Sequence, residues 1–217
     1  MNFGSNRARI SNSSTQVADA LRDEILQGKL QPAEKLNQSA IADQFGVSKI
    51  PVREALHRLE ADGLITFQPN GNATVSSLSI EELDQIYAMR IVLEKLLLEA
   101  AFPNMQEVDL IKAENALRLI DHEQNVYQWM MLDWTFHHAL YRPSQMALVI
   151  QNADKLYINA VRYFVAHKLL SYQARSQVEH RVILEACQQK DVTQALEALE
   201  NHLRASQQAL IEFLKRE

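Results

Sequence analysis

The sequence lacks the features that mark membrane, secreted and disulfide-stabilised proteins. It has no uninterrupted run of about 18 apolar residues, the length that a membrane-spanning helix requires. No apolar stretch follows the arginines near the N-terminus, as it would in a secretory signal. Cys187 is the single cysteine, which excludes an intrachain disulfide, and its helical spacing from Ile183 predicts a core residue. We therefore expect a globular cytoplasmic protein with no membrane partner.

Glycine is absent from most of the chain, and this absence divides the sequence. All five glycines lie between Gly4 and Gly71, and the following 146 residues contain none. A segment of that length with apolar residues at i, i+3 and i+4 predicts an all-helical bundle. Ser79, three residues before Glu82, predicts a capping box at its first helix. We expect a flexible arm over residues 1–14, a first domain over 15–76 and a helical domain over 77–217.

The net charge of −5 is unevenly distributed between these domains. Residues 1–76 contain 8 Lys and Arg against 8 Asp and Glu, whereas residues 77–217 contain 14 against 19. A neutral domain can bind nucleic acid if its cations gather on one face, but an acidic domain is repelled by phosphates. The distribution therefore restricts nucleic-acid binding to the first domain.

The first domain has the pattern of three helices followed by a hairpin. Its first helix is predicted to begin at Ser13, and a shorter second helix over residues 38–45 stops at Gly46. The apolar faces of the first and third helices are Val17, Leu21 and Ile25, and Val52, Ala55, Leu56 and Leu59. Asn70-Gly71 then separates two β-rich runs and favours a tight hairpin. The order predicts a winged helix-turn-helix.

The third helix has a cationic stripe in which Lys49, Arg53 and His57 recur every fourth position. The N-terminal end of a recognition helix enters the major groove, where Arg53 could pair with a guanine and Lys49 with a base or phosphate. Ser48 offers a hydroxyl and a helix N-terminus to a phosphate, and Pro51 is tolerated in the first turn. Two cations alone would indicate a solvated helix face, but the surrounding pattern favours DNA contact. For His57 the solvated face is favoured.

The stretch "GKLQPAEKLNQSAIADQFGVSKIPVREALHRLEADGLI" resembles the winged helix-turn-helix of the GntR family of bacterial transcription regulators. The resemblance covers about residues 15–76 and implies binding to a double-stranded DNA operator. The DNA-binding positions that we predict are Ser48, Lys49, Pro51, Arg53 and, at the hairpin tip, Gly71. The sequence departs from the family in Lys49 and Ile50, where Arg and Thr are usual, and in a wing without a basic residue near its glycine.

The helical domain contains an acid and several histidines on otherwise apolar faces. Asp133 and His137, four residues apart in "MMLDWTFHHALY", point to the same side of a helix, and His180 and His202 lie on or beside the apolar faces of later helices. Each polar group buried without a partner would cost roughly 2–7 kcal/mol. Two interpretations remain open: the four side chains bind one divalent cation, or the histidines hydrogen-bond to Asp133, Glu179 or the backbone without a metal.

A second resemblance favours the metal. The segments "LDWTFHHAL", "VEHRVILEACQQKDVTQALEALENHL" and "MRIVLEKLLLEAA" are similar to the FadR-type effector domain, called FCD, of one GntR branch. Many of its members bind a metal through an Asp-x3-His pair and two later histidines. The resemblance implies the ligands Asp133, His137, His180 and His202 for Zn, our first choice, or for Ni, Mn or Fe. The histidines outside this motif, which we interpret as surface or supporting groups, are His122, His138 and His167.

Four protein ligands leave coordination positions open for a small anion. The resemblance implies an organic or sugar acid as effector, because these are frequent effectors in the family. Arg90 and Arg162 are the candidates for binding the far end of such an acid by a bidentate pair, and each could equally form a structural salt bridge.

Together these features predict a mainly α protein, with an N-terminal winged helix-turn-helix and a C-terminal all-α bundle. The predicted function is a metal-containing, acid-responsive regulator, a homodimeric repressor bound to a pseudo-palindromic operator. One alternative is a regulator whose bundle and metal are purely structural. Another, a metal-dependent hydrolase, is disfavoured because the sequence shows no separate general base, glycine-rich phosphate loop or nucleophile-base motif.

Overall fold

A computed structural model describes residues 6–69, 71–167 and 170–215, and divides the chain into two compact units, Met1–Leu78 and Ser79–Glu217. The helices of the described residues are α1 (Asn6–Leu26), α2 (Gln38–Phe45), α3 (Lys49–Ala61), α4 (Ile80–Ala101), α5 (Glu107–Ile120), α6 (Val126–Tyr141), α7 (Ala147–Ala166), α8 (Gln173–Gln188) and α9 (Val192–Leu214). The strands are β1 (Lys35–Leu36), β2 (Ile65–Phe67) and β3 (Ala73–Val75). Single 3-10 turns cover Phe102–Asn104, Arg142–Ser144 and Leu170–Tyr172. The mainly helical fold class is confirmed.

The first unit has a core between α1 and α3, as the spacing of their apolar residues predicted. All seven predicted core residues of these two helices are buried. Helix α2 has the predicted bounds, and Gly46 ends it with a φ of 61°, a left-handed conformation that glycine adopts without steric cost. Arg22 of α1 and Asp62, which follows α3, form an ion pair of 2.8 Å between the two helices.

A small antiparallel sheet completes the first unit. Strands β2 and β3 form the predicted hairpin, with Thr66 opposite Thr74. Gly71 has a φ of 80°, as a tight turn requires, while Asn70 of the predicted turn lies outside the described residues. Strand β1 pairs with the other edge of β3 and was not predicted, because two residues are too short for a period-2 pattern.

Helix α1 begins earlier than the sequence indicated. The prediction placed a flexible arm over residues 1–14 and a cap at Ser13, but the structure is helical from Asn6 onwards. No glycine or proline stands between Asn6 and Ser13 to interrupt a helix. The weak N-cap signal at Ser13 therefore does not mark the start of α1. Residues 1–5 of the predicted arm lie outside the described part of the chain.

The second unit is a helical bundle in which α4 packs against α7 and α9, α5 against α6 and α8, and α8 against α9. Its buried interior includes Cys187, as predicted, and burial raises the pKa of this thiol to about 12. None of the helices in the described ranges combines the length and the apolar character that crossing a membrane would require.

The start of α4 differs in one detail from the predicted capping box. The Ser79 side chain caps the helix by accepting the N–H of Glu82, as expected. The Glu82 side chain does not accept a hydrogen bond from the Ser79 N–H, because its carboxylate contacts the Tyr163 hydroxyl at 2.9 Å and Arg162 at 3.2 Å. Tyr163 instead accepts the Ser79 N–H and also lies 3.0 Å from the Ser79 carbonyl. Two residues near the end of α7 therefore hold the first turn of α4.

Candidate nucleic-acid interface and metal centre

The predicted DNA-recognition face is the exposed side of α3 together with the hairpin. Lys49 and Arg53 are both exposed, and each lines a surface groove. The groove at Lys49, of about 390 Å³, is bordered by the start of α2 and by β1, and the groove at Arg53, of about 340 Å³, reaches Gly71 of the wing. Gln38 lines both grooves. The structure therefore brings three of the predicted DNA-binding positions to one surface.

The N-terminus of α2 adds polar groups to this face that sequence reasoning missed. Lys35, Gln38 and Ser39 line the groove beside Lys49, and Asn37 caps α2 through the N–H groups of Ser39 and Ala40. A helix N-terminus attracts phosphate oxygens through its partial positive charge. The sequence signal was Asn37, a preferred N-cap residue directly before the predicted start of α2.

Ile50 is a second feature of the recognition face that sequence reasoning noted only as a departure from the family. Its side chain is 67% exposed in the first turn of α3. An exposed apolar side chain at this position can contact the C5-methyl group of thymine in the major groove.

Two of the predicted DNA-binding residues lie at the start of α3. Pro51 is buried in the first turn of α3, where it shapes the helix start, and its DNA contact stays a prediction. Ser48 occupies the N-cap position of α3, but its side chain makes no capping hydrogen bond. His57 packs on the Phe67 ring at 4.7 Å and lies 3.3 Å from Glu60, in agreement with its interpretation as a solvated-face residue.

The four predicted metal ligands meet in the interior of the bundle. Asp133 and His137 come from α6, His180 from α8 and His202 from α9, and all four are buried. One donor atom from each lies within 4.8 Å of the other three. His180 Nε2 is 3.2 Å from both Asp133 Oδ1 and His202 Nε2, and His137 Nε2 is 3.8 Å from Asp133 Oδ2.

The outer nitrogen of His137 is fixed by a chain of hydrogen bonds. The Tyr141 hydroxyl donates to Glu94 Oε2 at 2.8 Å, so its oxygen is available to accept the Nδ1–H of His137 at 3.1 Å. These two hydrogen bonds assign the proton of the neutral His137 imidazole to Nδ1. His137 Nε2 is then a lone pair directed at the cluster, and it has no hydrogen-bond partner among the described residues.

The outer nitrogens of the other two histidines are fixed in the same way. The Gln177 amide donates its N–H groups to Leu117 O at 2.9 Å and to an Asp121 oxygen, so its Oε1 accepts from His180 Nδ1 at 3.3 Å. Glu179 Oε2 accepts from His202 Nδ1 at 2.9 Å. All three imidazoles therefore direct Nε2 inwards while an outer hydrogen bond sets their orientation, the arrangement that metal-binding histidines show.

Burial keeps His137 and His180 in the form that can bind a metal. It is the largest cause that lowers the pKa of His137 and of His180 well below the usual value, and the charge of His202 adds to the effect. Both rings are therefore neutral at neutral pH, and neutral imidazole is the metal-binding form. Burial also raises the pKa of Asp133, against the opposing effect of the Tyr157 hydrogen bond.

Arg90 lies beside this cluster, whereas Arg162 has partners elsewhere. The Arg90 Nε donates to Glu94 at 2.7 Å, and its guanidinium stacks over Tyr157, whose hydroxyl donates to Asp133 Oδ2 at 2.8 Å. No hydrogen bond of the two terminal Arg90 nitrogens occurs within the described ranges. Arg162 pairs with Glu82 at the start of α4. Each arginine thus forms a structural ion pair, and Arg90 also retains donors near the metal ligands.

The remaining histidines do not join the cluster. His122 is exposed, and His138 is half-exposed with its Nε2 3.9 Å from Asp154. His167 packs against Phe213 at 5.1 Å. These positions agree with their exclusion from the predicted ligand set.

Both halves of the chain match known protein families. Residues 13–75 match the family described as "Bacterial regulatory proteins, gntR family", and residues 85–205 match the FCD domain. The chain is 26% identical over 195 residues to the HTH-type transcriptional repressor GlaR of Escherichia coli, covering 84% of this chain and 89% of that protein. It is 32% identical over 129 residues to the uncharacterised regulator YdhC of Bacillus subtilis, a match that spans 58% of each protein.

Solved structures agree with the fold. The structure of E. coli McbR/YncC superposes with a TM-score of 0.80 at 23% identity, and the match covers 92% of this chain and 97% of that one. The family models account for the helix-turn-helix unit and for most of the bundle that holds the Asp133 cluster. The chain therefore belongs to the GntR family of bacterial regulatory proteins, in its FCD branch, and is a DNA-binding transcription regulator rather than an enzyme.

Proposed function

We propose that this regulator binds a divalent metal at Asp133, His137, His180 and His202 and senses a small organic or sugar acid there. The observation that carries the proposal is the buried His137 Nε2. Its lone pair has no hydrogen-bond partner among the described residues and lies near the potential metal-binding atoms of Asp133, His180 and His202. Inward lone pairs and a carboxylate repel one another, and a cation between them removes this repulsion. A metal-free hydrogen-bonded cluster would instead leave His137 Nε2 unsatisfied at a cost of roughly 1–3 kcal/mol.

The closest pair of donor nitrogens has the spacing expected around a first-row divalent cation. At bond lengths of about 2.0–2.1 Å, two nitrogens on one tetrahedral zinc lie roughly 3.3 Å apart, and His180 Nε2 and His202 Nε2 are 3.2 Å apart. Three imidazoles and one carboxylate suit Zn, our first choice, and also Ni, Mn and Fe. When bound, such a metal supplies a Lewis-acid position that can take a carboxylate oxygen in place of water.

Arg90 is the residue that we assign to the far end of the acid. Its Nε is engaged by Glu94, which fixes the guanidinium in place, while its terminal nitrogens remain available to a ligand carboxylate. Burial of the guanidinium against Tyr87 and Tyr157 removes water that would otherwise screen the pair. Arg162 also remains a candidate, but its ion pair with Glu82 favours a structural role.

Two copies of the chain would bind two operator half-sites, and α4 offers a surface for this pairing. Met89, Val92 and Leu96 are exposed on α4, flanked by Gln85 and Glu99 at the spacing of a coiled-coil seam. Exposed apolar residues in such a row indicate a protein-binding face rather than scattered surface residues. Two α4 helices that cross about a two-fold axis would place Val92 against its own copy.

Substitution Val92→Glu should therefore dissociate the dimer. The two-fold axis would bring two carboxylates together in an apolar seam, and the dimer dissociation constant should rise roughly hundredfold or more. Sedimentation equilibrium across a dilution series measures this constant. Val178→Glu on α8 is the matched control, because Val178 is 63% exposed and Val92 is 65% exposed. If Val92→Glu dimerises as tightly as wild type, α4 does not form the dimer interface.

In this proposal the protein acts in the cytoplasm as a repressor that the acid releases from its operator. The acid can shift DNA affinity only by the difference between its own affinities for the DNA-bound and released conformations. Repression with induction is the polarity that we favour, since the relative GlaR is named a repressor.

Elemental analysis of the purified protein, with mass spectrometry of co-purified acids, is the direct test. We expect about one divalent metal per protomer by the ligand count, and a titrated sugar or organic acid should weaken binding to the operator. Metal without any response to acids would favour the alternative in which the bundle and its metal are purely structural. Protein that neither retains nor takes up a divalent metal would overturn the proposal.

A further inference from the structure

A groove on the outer side of the bundle lies between α5 and α6 and has a volume of about 510 Å³. Helix α6 forms one wall with Leu132, Thr135, His138 and Ala139, while Asp133 and His137 of the same helix face the interior. The opposite wall is α5. The groove is therefore separate from the metal centre although the two share a helix.

The groove is cationic at one end and apolar at the other. A short segment, residues 121–125, joins α5 to α6, so the paired helices run antiparallel. Lys112, near the start of α5, consequently lies toward Arg142 at the end of α6, whereas Leu119 lies toward Leu132. Seven residues of α5 separate Lys112 from Leu119, an axial distance of about 10 Å.

Neither Lys112 nor Arg142 has an acidic partner among the described residues. Several other exposed cations of the bundle do, as the pairs Arg118–Glu114, Arg181–Asp121 and Arg204–Glu200 show. The segment 77–217 has more acids than bases, so partners are abundant. The groove lining also includes Asp109, which accepts the Gln106 N–H and keeps its charge, so two cations against one acid leave this lining with a net positive charge. The cationic end of the groove is therefore complementary to an anion.

Trp134 connects the groove to the interior. Its indole lines the groove, its Nε1 donates to Asp154 at 2.8 Å, and its ring stacks on Tyr157 at 4.3 Å. Tyr157 in turn donates to Asp133. A molecule in the groove would contact the Trp134 ring, which stacks on Tyr157, the hydrogen-bond partner of the candidate metal ligand Asp133.

We propose that this groove is a second ligand site, distinct from the metal centre, for an amphipathic monocarboxylate of medium chain length. The carboxylate lies between Lys112 and Arg142, and the apolar chain follows Ala116, Leu119 and Leu132 along the groove. Both ends of the ligand are thus matched by the residues present: charge by two cations without ion pairs, and apolar surface by the groove wall.

Titration of the full-length protein with octanoate, followed by tryptophan fluorescence, tests the site. We expect a saturable change that Trp134→Phe abolishes, since the other tryptophan, Trp129, is buried away from the groove lining. The double variant Lys112→Ala/Arg142→Ala should bind roughly tenfold more weakly or worse, because it loses two charge-assisted contacts. Lys190→Ala is the matched control, as Lys190 is exposed and outside the groove, and it should bind like wild type.

Two further titrations separate this site from the metal centre. Octanol, which keeps the chain but lacks the charge, should bind at least about tenfold more weakly than octanoate. The variant His180→Ala/His202→Ala should retain octanoate binding, whatever its metal content. The proposal is overturned if wild type does not bind octanoate, if the cation variant binds like wild type, if octanol binds equally well, or if the histidine variant loses binding. It is also overturned if the cation substitutions change the oligomeric state instead, which would make the groove a surface for a second copy.

Discussion

Replacement of His180 and His202 with alanine should leave the purified protein with less than about a tenth of the wild-type content of divalent metal, because removal of even an outer hydrogen-bond partner costs 10–100-fold in affinity. The two residues are half of the proposed ligand set, and their Nε2 atoms are the closest nitrogen pair in the cluster. Inductively coupled plasma mass spectrometry measures the metal, and the response of operator affinity to the acid should disappear with it.

His138→Ala is the matched control for this prediction. His138 follows His137 directly, but it is half-exposed and turned by about 100° on the helix, so its removal should leave the metal content unchanged. Both histidines of the double variant are buried, and a core defect could also release metal. The pair His180→Gln/His202→Gln keeps more of the side-chain volume, and far-UV circular dichroism reports whether each variant is folded. A folded double variant with wild-type metal content would refute the assigned site.

Arg53→Ala should abolish specific operator binding. Loss of a bidentate contact to guanine costs roughly 1–3 kcal/mol in each half-site, so a dimer that loses two contacts should bind roughly a hundredfold or more weakly. Fluorescence anisotropy with a selected operator and with a scrambled duplex, at one fixed salt concentration, separates this specific loss from the general phosphate attraction.

Arg58→Ala serves as the control in the same helix. It removes the same charge, but Arg58 lies near the C-terminal end of α3, where it donates to Thr15 at 2.8 Å. Its substitution should change operator affinity far less than Arg53→Ala. Equal losses in the two variants would mean that net charge, and not the recognition face, accounts for the effect.

The sequence predicted the parts of the fold that periodicity and local chemistry determine. The apolar faces of α1 and α3, the Gly46 stop and the bounds of α2 all follow from side-chain spacing and capping. Asp133 and His137 could be placed together by their four-residue separation. His180 and His202 could be joined to them only through the family resemblance, since no local pattern tells which helices face each other.

The supports of the candidate site were less predictable because they depend on contacts between distant segments. Tyr141 meets Glu94 across 47 positions of sequence, and Gln177 meets Leu117 across 60. Neither pair has a short-range signature. The same reason explains the missed half of the Ser79 cap, where Tyr163, 84 residues away, takes the place predicted for Glu82.

Helix α7 contacts two places that the proposed response to an effector would have to connect. Tyr157 bonds to Asp133 in the candidate site, and Tyr163, six residues later on the same helix, bonds to Ser79, the first residue of the second unit. Six residues of helix span about 9 Å and resist compression. If ligand binding displaced Tyr157 along the helix axis, Tyr163 and the start of α4 would therefore be expected to move with it. Under the proposed function, α7 would couple the candidate metal centre to Ser79, the residue at which the helical unit begins.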